Sequence, residues 1–214
     1  MYKAYKFRLY PNDKQKELIH KTFGCTRFIY NYFLNQCKEN KYKKAYDMCS
    51  ELKELIEEYP FLKEVDSCSL RNSIFDLEDS YRNFFEKRTN YPQFKSKFKK
   101  QSYRTNCIRS SYKENNYSNI EIYLNIKKIK LPKLGYVSIR GYRNLECING
   151  RIINATVEKE TTNKYYVFYY FLFYYVFLII SLSFYCNYYF LLFVVIVFFV
   201  VFLIFFHVFL ALFY

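Results

Sequence analysis

The sequence contains few of the residues that metal centres and disulfide scaffolds require. There are only two histidines, His20 and His207, and they lie far apart in the sequence. The seven cysteines are scattered, and none of them forms a CxxC pair with another. Because a tetrahedral zinc site needs closely spaced ligand pairs, no metal site is predicted. The odd number of cysteines argues against a disulfide framework and fits a reducing cytoplasm.

Charged residues are missing from the end of the chain. All 33 Lys and Arg precede Tyr165, and all 19 Asp and Glu lie at or before Glu160. The chain therefore divides into a basic body, which carries the whole formal net charge of +14, and an apolar tail. This surplus predicts a polyanionic partner, because neutralised phosphates release counterions and the release drives binding. An acidic membrane surface would also attract such a body.

Alternation over residues 2–10 predicts a first strand with one buried side and one basic outer side. Lys6 and Arg8 lie on the predicted outer side. The basic residues at this end are interleaved with aromatics and are followed by no apolar run, so no signal peptide is predicted. Asn12, with Gln15 three positions later, predicts the N-terminal cap of a helix.

Three amphipathic helices are predicted after this strand. The first passes Gly24, which indicates either a close approach of another backbone or a break into two shorter helices. The second runs from Ala45 to about Tyr59. The third can be capped by Asp66 or Ser67, and its apolar spacing of four, three, four and three is typical of a packed helix face. Its apolar positions are Leu70, Ile74, Leu77, Tyr81, Phe84 and Phe85.

Residues 87–104 combine positive charge with aromatic rings. The segment contains seven Lys or Arg, no Asp or Glu, and four interleaved aromatics. This composition is typical of a surface that follows a nucleic-acid backbone and stacks on bases. A solvated linker between two domains is the alternative interpretation. The candidate contacts to a nucleic-acid backbone are Lys6, Arg8, Lys95, Lys97, Lys99, Lys100 and Arg104.

The region from residue 105 to 167 is predicted to be β. Short apolar alternations recur at roughly ten-residue intervals, and the longest runs from Ile120 to Ile126. Residues 161–163 are a turn candidate before the last strand. This spacing predicts a small antiparallel barrel or sandwich. The strand at residues 2–10 can pair into the same sheet, which would make the helices an insertion between strands.

Six runs of residues together resemble a known family. They are AYKFRLYPN, FGCTRFIYNYFL, LKEVDSCSLRNSIFDLEDSYRNFF, YPQFKSK, QSYRT and KIKLPKLGYVSIR, and the resemblance covers residues 1 to about 167. In this order they resemble the N-terminal region of TnpB/OrfB proteins, which are RNA-guided DNA nucleases encoded by insertion sequences. The resemblance implies an α+β fold, in which a helical recognition domain is inserted in a small wedge-like antiparallel β-barrel. The apolar composition after residue 167 predicts, independently of the resemblance, that a helical tail follows.

The resemblance, together with the apolar composition of the last residues, also implies domain boundaries and partners. The expected units are 1–10 for the first barrel strand, 11–104 for a helical recognition-like domain of helix-turn-helix type with a basic linker at 87–104, 105–167 for the rest of the barrel, and 168–214 for the tail. The expected partners are DNA and RNA, with no cofactor. Neither the oligomeric state nor the nucleic-acid sequence that is bound follows from the chain.

A further implication of the resemblance is a set of residues that read a short DNA motif. They are Tyr46, Ser50, Ser67, Arg71 and Thr105. Ser67 stands where the family can have lysine, and Arg71 stands where it can have glutamine. Glutamine prefers adenine and arginine prefers guanine, so either the motif differs or these positions do not read DNA.

The nuclease centre of the family is the part that the sequence does not match. It is RuvC-like, with three carboxylates that bind two metal ions. Its first aspartate is expected soon after the KYYV run, between hydrophobic residues flanked by glycines, and no such pattern is present. No carboxylate side chain follows Glu160. We therefore expect no catalytic residues, and expect binding of guide RNA and target DNA without cleavage.

Two interpretations of the tail, residues 168–214, remain open. It is long enough for two membrane spans of about 20 residues, with the positive body on the cytoplasmic side. Alternatively, a frameshift replaced the nuclease half, since the match ends in mid-strand at Val167 and the abundant residues beyond it have AT-rich codons. Two other functions also stay open: a membrane-anchored basic protein that binds anionic lipid or an acidic partner, and a non-functional insertion-sequence remnant.

Overall fold

The computed structural model describes residues 2–39, 42–110, 117–140 and 150–173. One strand is followed by three α-helices and then by a series of strands. The helical elements are α1 (Asp13–Glu39), α2 (Ala45–Glu58), a 3-10 helix (Pro60–Glu64) and α3 (Ser67–Phe85). The strands are β1 (Tyr2–Tyr10), β2 (Gln101–Asn106), β3 (Arg109–Ser110), β4 (Tyr117–Ser118), β5 (Glu121–Tyr123), β6 (Lys128–Leu131), β7 (Gly135–Arg140), β8 (Gly150–Lys159) and β9 (Tyr165–Phe173).

Seven of the strands form one antiparallel sheet in the order β2-β8-β9-β1-β7-β6-β5, and β3 pairs with β4 separately. The first strand lies in the middle of the sheet, between β9 and β7, so the chain leaves the sheet for the three helices and returns at the edge strand β2. This confirms an α+β fold with a helical insertion.

The predicted closed barrel is wrong for the described strands, because β2 and β5 end the sheet without pairing with each other. The predicted alternation from Ile120 to Ile126 yields only the three-residue strand β5, followed by a turn in which Leu124 and Ile126 are 40% and 53% exposed. A three-residue strand has few backbone groups with which to pair, and a barrel closes only when the two edge strands of its sheet pair with each other.

The alternation of β1 is present as predicted. Phe7 and Leu9 are 3% and 2% exposed, whereas Lys6 points to the outer side of the sheet. In the capping box that follows, the Gln15 amide accepts from Asn12 N at 3.0 Å, and Asn12 Oδ1 accepts from Gln15 N at 2.9 Å. Gln15 Nε2 also donates to backbone carbonyls at the start of β7, so the cap attaches α1 to the sheet.

Helix α1 continues through Gly24 without a break. A Cβ built on this glycine would meet no atom within 4 Å, so neither predicted reason for it, a close backbone approach or a helix break, is present within the described residues. The helix buries one face, from Ile19 to Cys37, against α3 and the sheet.

The apolar stripe of α3 forms much of the helical core. Leu70, Ile74 and Leu77 are fully buried and Tyr81 is 2% exposed. In the last turn Phe84 is half-buried and Phe85 is 58% exposed, although the Phe85 ring still contacts Tyr42 and Tyr81. The core thus lies between α1, α2 and α3, and α3 also packs against β2.

The last described strand extends the sheet beyond the predicted boundary at residue 167. A turn at residues 160–164, in which Asn163 adopts a φ of 57°, connects β8 to β9. Strand β9 then pairs with β1 from Tyr165 as far as Leu172. Residues 168–173 are therefore strand and not helical tail. Residues 174–214, to which the rest of the tail prediction refers, lie outside the described residues.

No helix within the described ranges has the length and apolar character needed to cross a bilayer.

Candidate nucleic-acid interface

Four of the five residues that the family resemblance assigned to DNA reading lie on two neighbouring helix stripes. Tyr46 and Ser50 are one turn apart on α2, and Ser67 and Arg71 are one turn apart on α3. The stripes meet where the Tyr46 ring packs edge-on against Phe75, one turn after Arg71, with ring centroids 6.1 Å apart. All four side chains are exposed, Tyr46 at 78%. We call these four residues the α2–α3 face.

The fifth residue, Thr105, is only 1% exposed. Its hydroxyl donates to Asp66 Oδ2 at 2.7 Å. Asp66 is the N-cap of α3, and its carboxylate also accepts from the backbone N–H groups of Cys68 and Ser69. Thr105 thus connects β2 to the start of α3 by a hydrogen bond, and its side chain is not at the surface.

Arg71 retains an uncompensated charge on the α2–α3 face. Its Nη2 lies 3.7 Å from Cys68 Sγ, and no carboxylate of a described residue lies within ion-pair distance. Burial raises the pKa of the Cys68 and Cys49 thiols, and Arg71 acts in the opposite direction on both. Both cysteines are therefore neutral near pH 7, and the guanidinium charge is available to an external anion.

The basic segment, residues 87–100, is attached to the helices at two points. The Asn31 side chain forms two hydrogen bonds with the backbone of Lys95, at 2.8 and 3.0 Å. Tyr91 packs edge-on against Tyr81, and their hydroxyls are 2.8 Å apart. The segment is therefore positioned by the helical layer, which a freely solvated linker would not be.

The four aromatics of residues 87–104 divide into two structural and two exposed rings. Tyr103 is 6% exposed against Phe23, and Tyr91 is part of the contact with α3. Phe94 and Phe98 are 44% and 86% exposed. Only these last two are in a position to stack on a base.

Lysine ammonium groups lie over both exposed rings. Lys38 Nζ is 4.2 Å from the centroid of the Phe94 ring, and Lys97 Nζ is 5.2 Å from that of Phe98. Each such contact contributes about 0.5–1 kcal/mol at an exposed site. The arrangement provides a charge for a phosphate next to a ring for a base.

Asp76 of α3 holds two of the predicted backbone-contacting residues. Arg104 Nη2 lies 2.8 Å from its Oδ1, and Lys95 Nζ lies 4.0 Å from its Oδ2. Lys95 also lies over the Tyr30 ring, 4.0 Å from the centroid. Asp76 thus fixes the directions of two cations and offsets part of their charge.

Two more of the predicted contacts have carboxylate partners on the sheet. Lys100 pairs with Glu158 at 2.8 Å and Lys6 with Glu160 at 3.3 Å. The remaining three have no ion pair with a described residue: Arg8, Lys97 and Lys99. Sequence composition could not separate these groups, because each partner comes from a distant part of the chain.

Sequence reasoning did not select Arg140, which lies directly opposite Arg8 in the pairing of β1 with β7. The available signal was the alternation of KIKLPKLGYVSIR, which places Arg140 on the side opposite the buried Val137 and Ile139. Sequence reasoning also did not select Lys38 and Asp76.

Within the part of the chain that the structure describes, no three His, Cys, Asp or Glu side chains form a group that could hold a metal ion.

These features define a class of protein in which helices inserted in an antiparallel sheet present polar and cationic side chains suited to nucleic acid. Comparison with known proteins agrees with this class. The profile of a helix-turn-helix domain of the OrfB type matches residues 1–45, which include β1 and α1.

Two curated relatives match more of the chain. One is the Escherichia coli K12 protein InsQ, named provisionally as an RNA-guided DNA endonuclease, at 32% identity over 171 residues. The other, from Streptomyces pristinaespiralis and with the same provisional name, is 35% identical over 105 residues. A virulence protein of Salmonella dublin, VsdF, is 27% identical over 114 residues, which cover 95% of its length. The chain belongs to the TnpB/OrfB family.

The matches cover different shares of the two chains. The alignment with InsQ covers 77% of this chain and 39% of InsQ, and the alignment with the Streptomyces protein covers 45% and 26%. This chain thus spans between about a quarter and two fifths of the length of these two relatives.

Proposed function

We propose that this chain binds guide RNA and target DNA through its basic body and does not cleave DNA itself. The names of the two relatives, which refer to RNA-guided DNA endonucleases, and the helix-turn-helix match support the choice of partners. The formal charge of +14, all of it located before Tyr165, supports binding to a polyanion.

The observation that carries the proposal is the pairing of cations with exposed rings in the basic segment. Lys38 over Phe94 and Lys97 over Phe98 provide two adjacent units of charge and stacking surface. Base–aromatic stacking contributes about 1–3 kcal/mol per base and does not depend on sequence. A strand that follows this segment would gain both kinds of contact without base-specific hydrogen bonds.

The α2–α3 face is the proposed site of sequence reading. Its four side chains are exposed and include one arginine without a carboxylate partner among the described residues. An arginine that donates two hydrogen bonds to guanine O6 and N7 discriminates against other bases by about 1–3 kcal/mol. Thr105 would support this face indirectly, by fixing the cap of α3 through Asp66.

The proposed lack of cleavage is supported by the distribution of acids. Two-metal phosphodiester hydrolysis needs several carboxylates on one site. No Asp or Glu follows Glu160, and Asp76, Glu158 and Glu160 are engaged with cations. The test is incubation of the full 214-residue chain with supercoiled plasmid, RNA and Mg²⁺. We expect no nicking above background, and magnesium-dependent nicking would contradict the proposal.

Binding is tested by titrating labelled RNA and DNA with the full chain at several salt concentrations. In the variant Lys97→Gln/Lys99→Gln, the slope of log K against log salt should fall by about 1–2, since each lost phosphate contact removes roughly 0.7–0.9. The matched control is Lys14→Gln/Lys63→Gln, which removes the same charge from exposed positions on α1 and the 3-10 helix. Equal changes in both variants would show that the basic segment has no special role.

A further inference from the structure

The outer face of the sheet contains a pair of arginines in an unfavourable arrangement. Arg8 of β1 and Arg140 of β7 are direct cross-strand partners. Side chains at such positions have Cβ atoms about 4.5–5.5 Å apart, and like charges placed there are destabilising. A fold that gained nothing from this pair would be more stable with a neutral residue at either position.

A single tyrosine ring positions both guanidinium groups. The Cζ atoms of Arg8 and Arg140 lie 4.9 Å and 5.2 Å from the centroid of the Tyr10 ring. Cation–π attraction to this ring favours both guanidinium positions. It opposes the repulsion between two like charges that lie directly opposite each other in the sheet. The ring holds the two cations in place without neutralising them.

No carboxylate compensates the pair within the described residues. Neither arginine has an ion pair, whereas Lys6 on the same face pairs with Glu160 at 3.3 Å. Lys128 lies on this face as well, in register with Ser138, which in turn is opposite Tyr10. It too has no ion pair with a described residue, so three cations around Tyr10 have no carboxylate partner in the part of the chain that the structure describes.

We propose that Arg8 and Arg140 form a clamp for one phosphate group of a nucleic-acid strand, with Tyr10 as the positioning residue. Guanidinium groups bind phosphate through two parallel N–H···O hydrogen bonds, and one phosphate has enough acceptor oxygens for two arginines. Binding of the anion removes the repulsion between the arginines, so the energy stored in the free protein contributes to affinity. The inference rests on the nucleic-acid binding proposed above, and it assigns a site on the sheet that is separate from the α2–α3 face.

The test compares Arg8→Gln, Arg140→Gln and the double variant in the full chain, with Lys63→Gln, at an exposed position on the 3-10 helix, as a charge-matched control. The probes are 20-nucleotide RNA and DNA strands of the same sequence. Each single variant should weaken binding by about five- to tenfold near 0.1 M salt and lower the salt slope by about 1. The double variant should lose little more than either single variant, because both arginines hold the same phosphate. The control should change affinity by less than about twofold.

A second measurement separates this role from a structural one. Because the substitutions remove a like-charge contact, the urea midpoint of the free Arg140→Gln variant should stay the same or rise while its affinity falls. A lower midpoint together with lower affinity would assign the arginines to folding and overturn the clamp.

Other results of the binding measurements would also separate the clamp from other kinds of contact. RNA and DNA should lose affinity to the same extent, and a loss with only one of them would mean that the contact is to the sugar and not to phosphate. Losses that multiply in the double variant would mean two independent contacts. If wild-type protein binds both strands and the variants bind equally well, the clamp is wrong and the proposed function stands. If wild-type protein binds neither strand at low salt, the proposed function itself fails.

Discussion

The helical layer and the outer face of the sheet both present cations, but their surroundings differ. On the helical side Asp76 holds Lys95 and Arg104, and the basic segment is fixed to α1 by hydrogen bonds. On the sheet Arg8 and Arg140 face each other with no carboxylate partner among the described residues. A carboxylate partner fixes the position of a cation but reduces its attraction for a polyanion. Asp76 therefore favours a fixed orientation of Lys95 and Arg104, whereas Arg8 and Arg140 keep their full attraction for a polyanion.

The largest expected effect on the free energy of unfolding comes from a substitution in the core between the three helices. Leu77→Ala removes a fully buried side chain from the core between the helices and should lower the free energy of unfolding by about 2–5 kcal/mol. The matched control is Leu124→Ala, at a position 40% exposed in the turn after β5, which should change it by less than about 0.5 kcal/mol. Urea denaturation measures both. Equal losses would mean that stability does not reside in the helical core.

The next largest effect on stability is expected at the contact between the start of α3 and strand β2. Asp66→Ala removes the cap of α3 and leaves the buried hydroxyl of Thr105 without an acceptor. The loss should be about 2–3 kcal/mol, combining a lost cap with an unsatisfied buried group. Ser67→Ala, one position later and exposed, should cost less than about 0.5 kcal/mol. If Ser67→Ala were the more costly change, the assignment of the cap to Asp66 would be wrong.

Local signals explain why these elements could be predicted from the sequence. The capping box of Asn12 and Gln15, the turn before β9 and the stripe of α3 each depend on residues within one or two turns of one another. Such short-range patterns can be recognised in the sequence without knowledge of the fold. The alternation of β1 likewise separated buried from outer residues correctly.

Long-range pairing explains what could not be predicted. Strand β2 lies in a region whose composition indicated a basic linker, and it forms because residues 101–106 pair with β8, some fifty residues later. The open sheet depends on the lengths of β5 and its neighbours, which the spacing of apolar residues does not determine. Burial of Thr105 likewise follows from a contact with Asp66, 39 positions away in the sequence.

The candidate interface shows the same division. Composition alone indicated that residues 87–104 are suited to nucleic acid. Which cations are compensated depends on Asp76, Glu158 and Glu160, and only the fold places these acids beside their partners. The pairing of Arg8 with Arg140 is likewise a consequence of strand register, which the sequence of either strand alone does not specify.

An isosteric change that removes the negative charge of Asp76 tests the contrast between paired and unpaired cations. Asp76→Asn releases Lys95 and Arg104 from their carboxylate, and it should strengthen binding to RNA and DNA by about three- to tenfold at low salt, with the gain disappearing at high salt. The pair is partly exposed, so the cost in stability should be below about 1 kcal/mol. Fluorescence anisotropy titrations at two salt concentrations measure the effect.

Asp79→Asn is the matched control, because Asp79 also lies on α3 but pairs with Arg82 of its own helix, at 2.9 Å. It changes the net charge equally and should change affinity by no more than about twofold. Weaker binding by Asp76→Asn would reverse the interpretation, since the carboxylate would then orient the two cations for the ligand rather than compete with it.

The smallest expected effect is at Gly24, a glycine inside α1 for which the described residues show no packing reason. Alanine there meets no atom within 4 Å, and a glycine inside a helix is less stable than alanine by about 0.5–1 kcal/mol. Gly24→Ala should therefore raise the free energy of unfolding by that amount and leave affinity for RNA and DNA unchanged, as urea denaturation and binding titrations would show. A more stable variant with weakened binding would mean that a ligand approaches the α1 backbone at Gly24, so the helical layer would then bind by close contact as well as by charge.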